Sequence, residues 1–153
     1  MSAVSSRVES RLEQFSQLCR RHAIKATHQR FEIYRELLAT DEHPDAKTVY
    51  LRVRKRVPTV SFDTVYRALR LLEEKGMIAR VRSLGDSARF DANPEQHHHF
   101  VCIRCGAIHD FTSQALDDFR TPREAAAFGE VHSAQVELRG ICANCREKKR
   151  RRG

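Results

Sequence analysis

Two Cys-x-x-Cys pairs, Cys102/Cys105 and Cys142/Cys145, constrain this chain more than any other feature. Four thiolates at such spacing make a closed tetrahedral zinc site, with no open position for chemistry. Each pair forms a tight knuckle, and Gly106 follows the first. The 36 residues between the pairs exceed what a simple zinc ribbon needs. That length fits a small sheet and helix whose ends the zinc clamps together. A dithiol redox pair and free buried thiols are the alternatives. Compartment weighs against a disulfide. No apolar run approaches the ~20 residues of a membrane span. Arg7, Glu9, Arg11, Glu13, Arg20 and Arg21 interrupt any signal-peptide core in the first 25 residues. The expected location is the cytoplasm, where thiols stay reduced and paired cysteines bind metal. Cys19 stands alone in a helical pattern and reads as a buried structural residue.

A second cluster has harder donors. His97 and His99 are two apart, so on an extended segment they share a side, with His98 on the other. Asp91 and Asp110 can return carboxylates to the same place from neighbouring strands, and His43 can reach across the domain boundary. Such a nitrogen and oxygen set suits Fe2+ or Mn2+, with zinc competing on raw affinity. Solvated surface histidines are the alternative. His98 reads as a solvent-facing bystander. His22, His28 and His109 read as structural or surface residues, and His132 joins a metal site only weakly.

The first half of the chain is helical and basic. Apolar spacing predicts helices over Val8–Arg21, Thr27–Leu38, Ala46–Val57 and Phe62–Lys75, with Pro44 and Pro58 as breaks and Gly76 as the last stop. Ser61 is the expected N-cap of the fourth helix. Its Val65, Ala68, Leu69 and Leu72 form an inward stripe, leaving Tyr66, Arg67 and Arg70 on another face. Two β-like runs follow, Ile78–Leu84 and Ala88–Asp91, joined by Gly85-Asp86. Helices and then a hairpin make the pattern of a winged helix-turn-helix. Beyond Asn93-Pro94 lie strand-like Phe100–Ile103, Ile108–Phe111 and Gln135–Leu138, with a helical piece over Ser113–Phe119. Residues 120–134 read as loop or broken helix.

The class is α+β: a winged helix over residues 1–92, a small α/β domain with the four-cysteine site over 95–147, and a basic tail over 148–153. Residues 1–91 carry 18 Lys/Arg against 12 Asp/Glu. The remainder is acidic apart from Arg146–Arg152, so the first half is the expected polyanion surface. Tyr66, Arg67 and Arg70 would meet the major groove, with Thr64, Ser61 and Lys47 beside them. Arg52, Arg54, Lys55 and Arg56 are further phosphate candidates.

Together these residues resemble the ferric uptake regulator family over roughly residues 8–147. The resemblance rests on Thr64-Val-Tyr66-Arg67-Ala-Leu69 ending in Gly76, on Arg89-Phe90-Asp91, on His97-x-His99-x-x-Cys102-x-x-Cys105-Gly106, and on Cys142-x-x-Cys145. It implies a homodimer whose second domain dimerises, and metal-dependent repression at double-stranded operator DNA. It matches Cys102, Cys105, Cys142 and Cys145 to a structural Zn2+ site, and His43, Asp91, His97, His99 and Asp110 to a regulatory Fe2+ or Mn2+ site. Aspartate at 91 and 110 is similar to the peroxide-sensing branch, where iron-sensing members usually have glutamate at the first. In that branch Fe2+ reacts with hydrogen peroxide and a ligand histidine is oxidised, here His43 or His97. Gln96 and His98 stand where an accessory site would want His and Asp, so no accessory site is assigned. The basic tail lies outside the family pattern. An iron- or zinc-supply sensor without peroxide chemistry is the main alternative. A metalloenzyme acting on nucleic acid is a third, but the chain lacks a His-x-Glu general base beside an open zinc.

Overall fold

The computed structural model describes residues 3–81, 84, 85, 87–118 and 120–151, with side chains from Val8 onward. It divides into two units, Met1–Pro94 and Glu95–Gly153.

The first unit opens with α1 (Ala3–Glu13) and α2 (Phe15–Arg21). A single helix over Val8–Arg21 was the expectation. The break falls at Gln14, whose φ of −82° and ψ of −6° flatten one residue of the helix. Hydrogen bonds still cross it, from the Gln14 amide to the Ser10 carbonyl and from the Leu18 amide to the Gln14 carbonyl. The kink leaves Phe15 and Cys19 buried, one turn apart.

Helix α3 (His28–Leu38) is capped by Thr27, α4 (Ala46–Val53) by Asp45 and α5 (Phe62–Glu74) by Ser61. Each cap side chain accepts an amide three residues on, as an orphan helix N–H requires. Helix α4 stops four residues before the expected Val57. Pro58 expels its predecessor from helical conformation, and residues 54–57 tighten into turns. At the end of α5, Gly76 takes φ +70°, a left-handed geometry natural only to glycine. The Met77 amide bonds the Leu72 carbonyl and the Gly76 amide bonds that of Glu73, closing the helix. Ile33, Tyr34, Val49, Val53, Val65, Leu69 and Leu72 meet between the three helices and are fully buried.

The wing is β1 (Ala79–Val81) paired antiparallel with β2 (Arg89–Asp91), Ala79 opposite Asp91. Both strands are shorter than their expected runs. Arg82, Ser83 and Asp86, within the expected strand and turn, lie outside the described residues.

In the second unit, β3 (His98–Cys102) lies between β4 (Ile108–Phe111) and β5 (Glu137–Gly140). It runs antiparallel to β4 and parallel to β5. Short helices α6 (Gln114–Asp117) and α7 (Arg123–Ala126) fill the crossover, and α8 (Ala143–Arg150) takes up most of the basic segment. Phe119, in the expected helical piece, is not among the described residues. Strand β5 sits two residues later than expected. Pairing Cys102 with Gly140 brings the second cysteine knuckle beside the first. The architecture is α+β, a winged helix-turn-helix followed by a small α/β unit. Among the described residues, no helix is long and apolar enough to cross a membrane.

Candidate metal centres and nucleic-acid face

The four cysteines of the second unit converge. Their sulfurs all lie within 4.8 Å of one another, and Cys105 Sγ is 3.7 Å from Cys142 Sγ. Thiolates about 2.3 Å from a tetrahedral zinc lie about 3.8 Å apart, whereas a disulfide holds its sulfurs at about 2.05 Å. The spacing is that of metal ligands. The first knuckle works because Gly106 takes φ +70° and returns its amide to the Cys102 carbonyl. The Cys142 amide donates to Cys102 Sγ at 3.3 Å. Backbone amides, led by that of Cys142, draw the Cys102 thiol down to about 6, while hydrogen bonds that the Cys145 thiol donates to the other sulfurs, Cys105 first, push it up to about 12. Four neighbouring thiols cannot all ionise without a cation, and a divalent ion removes that conflict.

Strands β3 and β4 build a second donor set. His99 stands opposite Asp110 in the ladder, and His97 precedes the strand on the same side. The two imidazole Nε2 atoms are 3.1 Å apart, His99 Nε2 is 3.3 Å from Asp110 Oδ1, and His97 Nε2 is 3.9 Å from it. Adjacent ligands held about 2.1 Å from one ion are about 3.0–3.4 Å apart; the two sides of the triangle that meet at His99 have that spacing, and the His97–Asp110 side is wider. The other face of His97 is fixed: Nδ1 bonds the Glu95 carbonyl at 2.6 Å, leaving Nε2 as the donor nitrogen. This set of nitrogen and oxygen donors fits Fe2+ or Mn2+, as the sulfur set fits Zn2+.

The first unit contributes its own pair, His43 Nε2 at 3.9 Å from Asp91 Oδ2, both residues buried. His43 has φ +50°, a costly left-handed conformation for a residue with a side chain, and one that collects at functional positions. Its loop is tied to the wing by the Arg89 guanidinium on the His43 carbonyl and by the Phe90 amide on that of Pro44. Strand β2 thus holds the loop with His43 and presents Asp91 at its own end.

His98 is not the solvent-facing bystander its alternation with His97 and His99 predicts. It is fully buried. The Val136 amide donates to its Nδ1 at 3.2 Å, which places the ring proton on Nε2, facing Asp117 Oδ1 at 3.1 Å. Gln96 likewise donates to the Ala134 carbonyl. These two residues stitch β3 to the segment before β5. His109 and His132 are exposed.

On the first unit, Tyr66, Arg67 and Arg70 emerge from α5 together, exposed, as expected. Asp63 braces Arg67 at 3.0 Å and Glu74 faces Arg70 at 3.6 Å. Ser61 and Thr64 are occupied with the helix cap and with each other. Lys47 is exposed at the start of α4. Two expected phosphate contacts need correction. Arg56 is held by buried Glu32 and Glu36, and Arg52 by Glu36 and Glu42, so both serve the fold. Burial pushes the Glu32 carboxyl up, but the Arg56 hydrogen bond and charge prevail and hold it below its usual range.

The model of the ferric uptake regulator family matches residues 21–139. The chain belongs to this family. It is 30% identical to the peroxide-responsive repressor PerR of Staphylococcus epidermidis, over 97% of this chain and 99% of that protein. Among solved structures, the Campylobacter jejuni peroxide stress regulator superposes with a TM-score of 0.69 at 30% identity, covering 84% of this chain and 97% of that one. A zinc uptake regulator bound to zinc and DNA superposes with a TM-score of 0.64 at 26% identity, covering 94% and 97%. Family members are transcription regulators, and the two metal centres fit that membership: a closed sulfur site for structure and an open nitrogen and oxygen site for response.

Proposed function

We propose that this metal-responsive regulator is a cytoplasmic, homodimeric repressor that binds operator DNA when its regulatory site is filled and releases it on exposure to hydrogen peroxide. The observation that carries the reading is the His97, His99 and Asp110 triangle. Three donors leave an Fe2+ or Mn2+ ion short of its preferred six ligands, and His43 and Asp91 of the first unit supply two more of the same chemistry. One ion shared by all five would couple the DNA-binding unit to the rest. Metal favours the binding-competent state only by its greater affinity for it, and a coupling of about 1–3 kcal/mol gives about 5- to 150-fold in DNA affinity. Exposed Ile103, Leu138 and Ile141 on the second unit support a partner copy that covers them. The Staphylococcus repressor supports the peroxide response, and the zinc uptake regulator complex supports DNA as ligand.

An Fe2+ ion held there would supply electrons for the reduction of peroxide beside the ligand imidazoles. His43 and His97 are the rings proposed to gain oxygen, and an oxidised ring loses its donor lone pair. DNA retention is measured with Fe2+ and with Mn2+, before and after peroxide, with mass spectrometry of the His43 and His97 peptides. The reading expects release and one added oxygen atom with Fe2+ only. Retention by the Fe2+ form overturns the peroxide step, and release that follows chelation alone makes the protein a metal-supply sensor. His97→Ala should fold and keep its zinc, and its DNA affinity should stay at the metal-free level whether or not Fe2+ or Mn2+ is added; a normal metal response removes His97 from the ligand set.

A further inference from the structure

Phe62 is a large apolar side chain at the first position of α5, and it is 45% exposed. Burying it would stabilise the fold, so its exposure needs a reason. Its ring is not loose. Tyr66, one turn on, stacks on it with centroids 6.3 Å apart at 28°, and Tyr50 of α4 meets it edge-on at 5.8 Å and 90°. Tyr66 is itself 44% exposed. The two rings face a groove of about 300 Å³ between α5 and the wing, whose walls include Lys47 and Arg80. Asp45 also lines the groove and Glu73 holds the Arg80 guanidinium, so what the groove offers DNA is its apolar floor, with Lys47 at its edge for a phosphate. In helix-turn-helix proteins the N-terminal residues of the second helix touch base edges. The apolar feature a base pair presents in the major groove is the C5-methyl group of thymine.

We propose that Phe62, supported by Tyr66 and Tyr50, reads thymine by contact with its C5-methyl group. This inference rests on the DNA-binding reading above and adds a sequence-specifying contact to it, separate from Arg67 and Arg70.

The test begins with duplexes enriched from a randomised pool by the metal-loaded full chain. Each thymine in the enriched site is then replaced singly by deoxyuridine, which keeps every hydrogen-bonding group and removes the methyl. Burial of one methyl predicts about a fourfold loss of affinity at the contacted position. Phe62→Ala should bind the thymine duplex more weakly and lose the thymine-to-uracil difference there; Phe62→Leu should retain part of it. Melting of both variants checks that the fold is intact. If Phe62→Ala lowers affinity for both duplexes equally and keeps the difference, the ring only supports its neighbours and the proposal is wrong. It is equally wrong if the difference disappears in Tyr66→Ala but not in Phe62→Ala, or if no position is sensitive to the methyl. Failure to enrich any duplex would instead overturn the DNA-binding reading, and this inference with it.

Discussion

Backbone amides already solvate the Cys102 sulfur, through the donors from its own knuckle and from Cys142 across the gap between the pairs. A serine there keeps a hydrogen-bond acceptor but loses the soft anion zinc requires. Cys102→Ser should therefore lose bound zinc, measured by elemental analysis of purified protein, together with much of the second unit's structure. Retention of one zinc per chain would contradict the assignment. His98 makes a different prediction. Its removal takes the acceptor from the Val136 amide and leaves a ring-sized cavity beside Phe111. His98→Ala should cost about 2–4 kcal/mol in denaturant unfolding of the zinc-loaded protein. A loss under about 1 kcal/mol would return His98 to the surface role its position in the sequence implies. Alternation along the strand correctly puts His98 on the opposite side from His97 and His99. It carries no information on what covers that side, because the cover comes from Asp117 and Val136, 19 and 38 residues away.

Elements whose ends are written in local chemistry were legible in advance. Helix α5 starts at its Ser61 cap and stops at Gly76 because both signals act within one turn. Elements placed by distant partners were not: β5 slides two residues to bring one cysteine knuckle to the other, and the Gln14 kink serves the burial of Phe15 and Cys19. The basic run around α4 shows the same limit. Arg52 and Arg56 look like phosphate contacts in sequence, but Glu32 and Glu36 of α3 claim them. That network fixes α3 to the residues just after α4, and it carries a pH signature. The Glu32 carboxyl is lower in the folded chain than its ordinary value, despite burial, because of Arg56. Its contribution is thus complete above about pH 4.3, the unperturbed glutamate value, and is lost as pH falls through the lowered folded value. Arg56→Ala leaves Glu32 buried without this partner. Allowing for the partial exposure of Arg56, it should cost about 1–3 kcal/mol at neutral pH. The difference from wild type should shrink as pH falls below about 4 and the Glu32 carboxyl protonates. Urea midpoints across that range test the sign; a penalty that grows on acidification would rule out the ion pair as its source.

At the scale of the whole molecule the two units stand on different foundations. The first has a continuous apolar core from three capped helices and the wing, with Ile33, Tyr34, Val49, Val65, Leu69 and Leu72 shielded from water. Among the described residues of the second, the buried apolar side chains are Val101 and Ile108 beside the Cys102 thiol. Its strands are four or five residues long, and its helices α6 and α7 bury nothing. A unit of this size with so small a core rarely supplies more than about 3–5 kcal/mol, and chain entropy opposes it at about 1–2 kcal/mol per residue. Structural zinc in small peptides contributes about 10–16 kcal/mol of apparent binding energy, all of it conditional on the fold. Stripping zinc from the full chain with a strong chelator should therefore open the second unit and spare the first. Hydrogen exchange resolves this by segment. Amides of β3 and β5 should lose protection in chelator, those of α3 and α5 should keep it, and added Zn2+ should restore the pattern. Unchanged protection in β3 would mean that packing, not the thiolate cluster, holds that unit together. Simultaneous loss in α5 would mean that the winged helix depends on zinc as well.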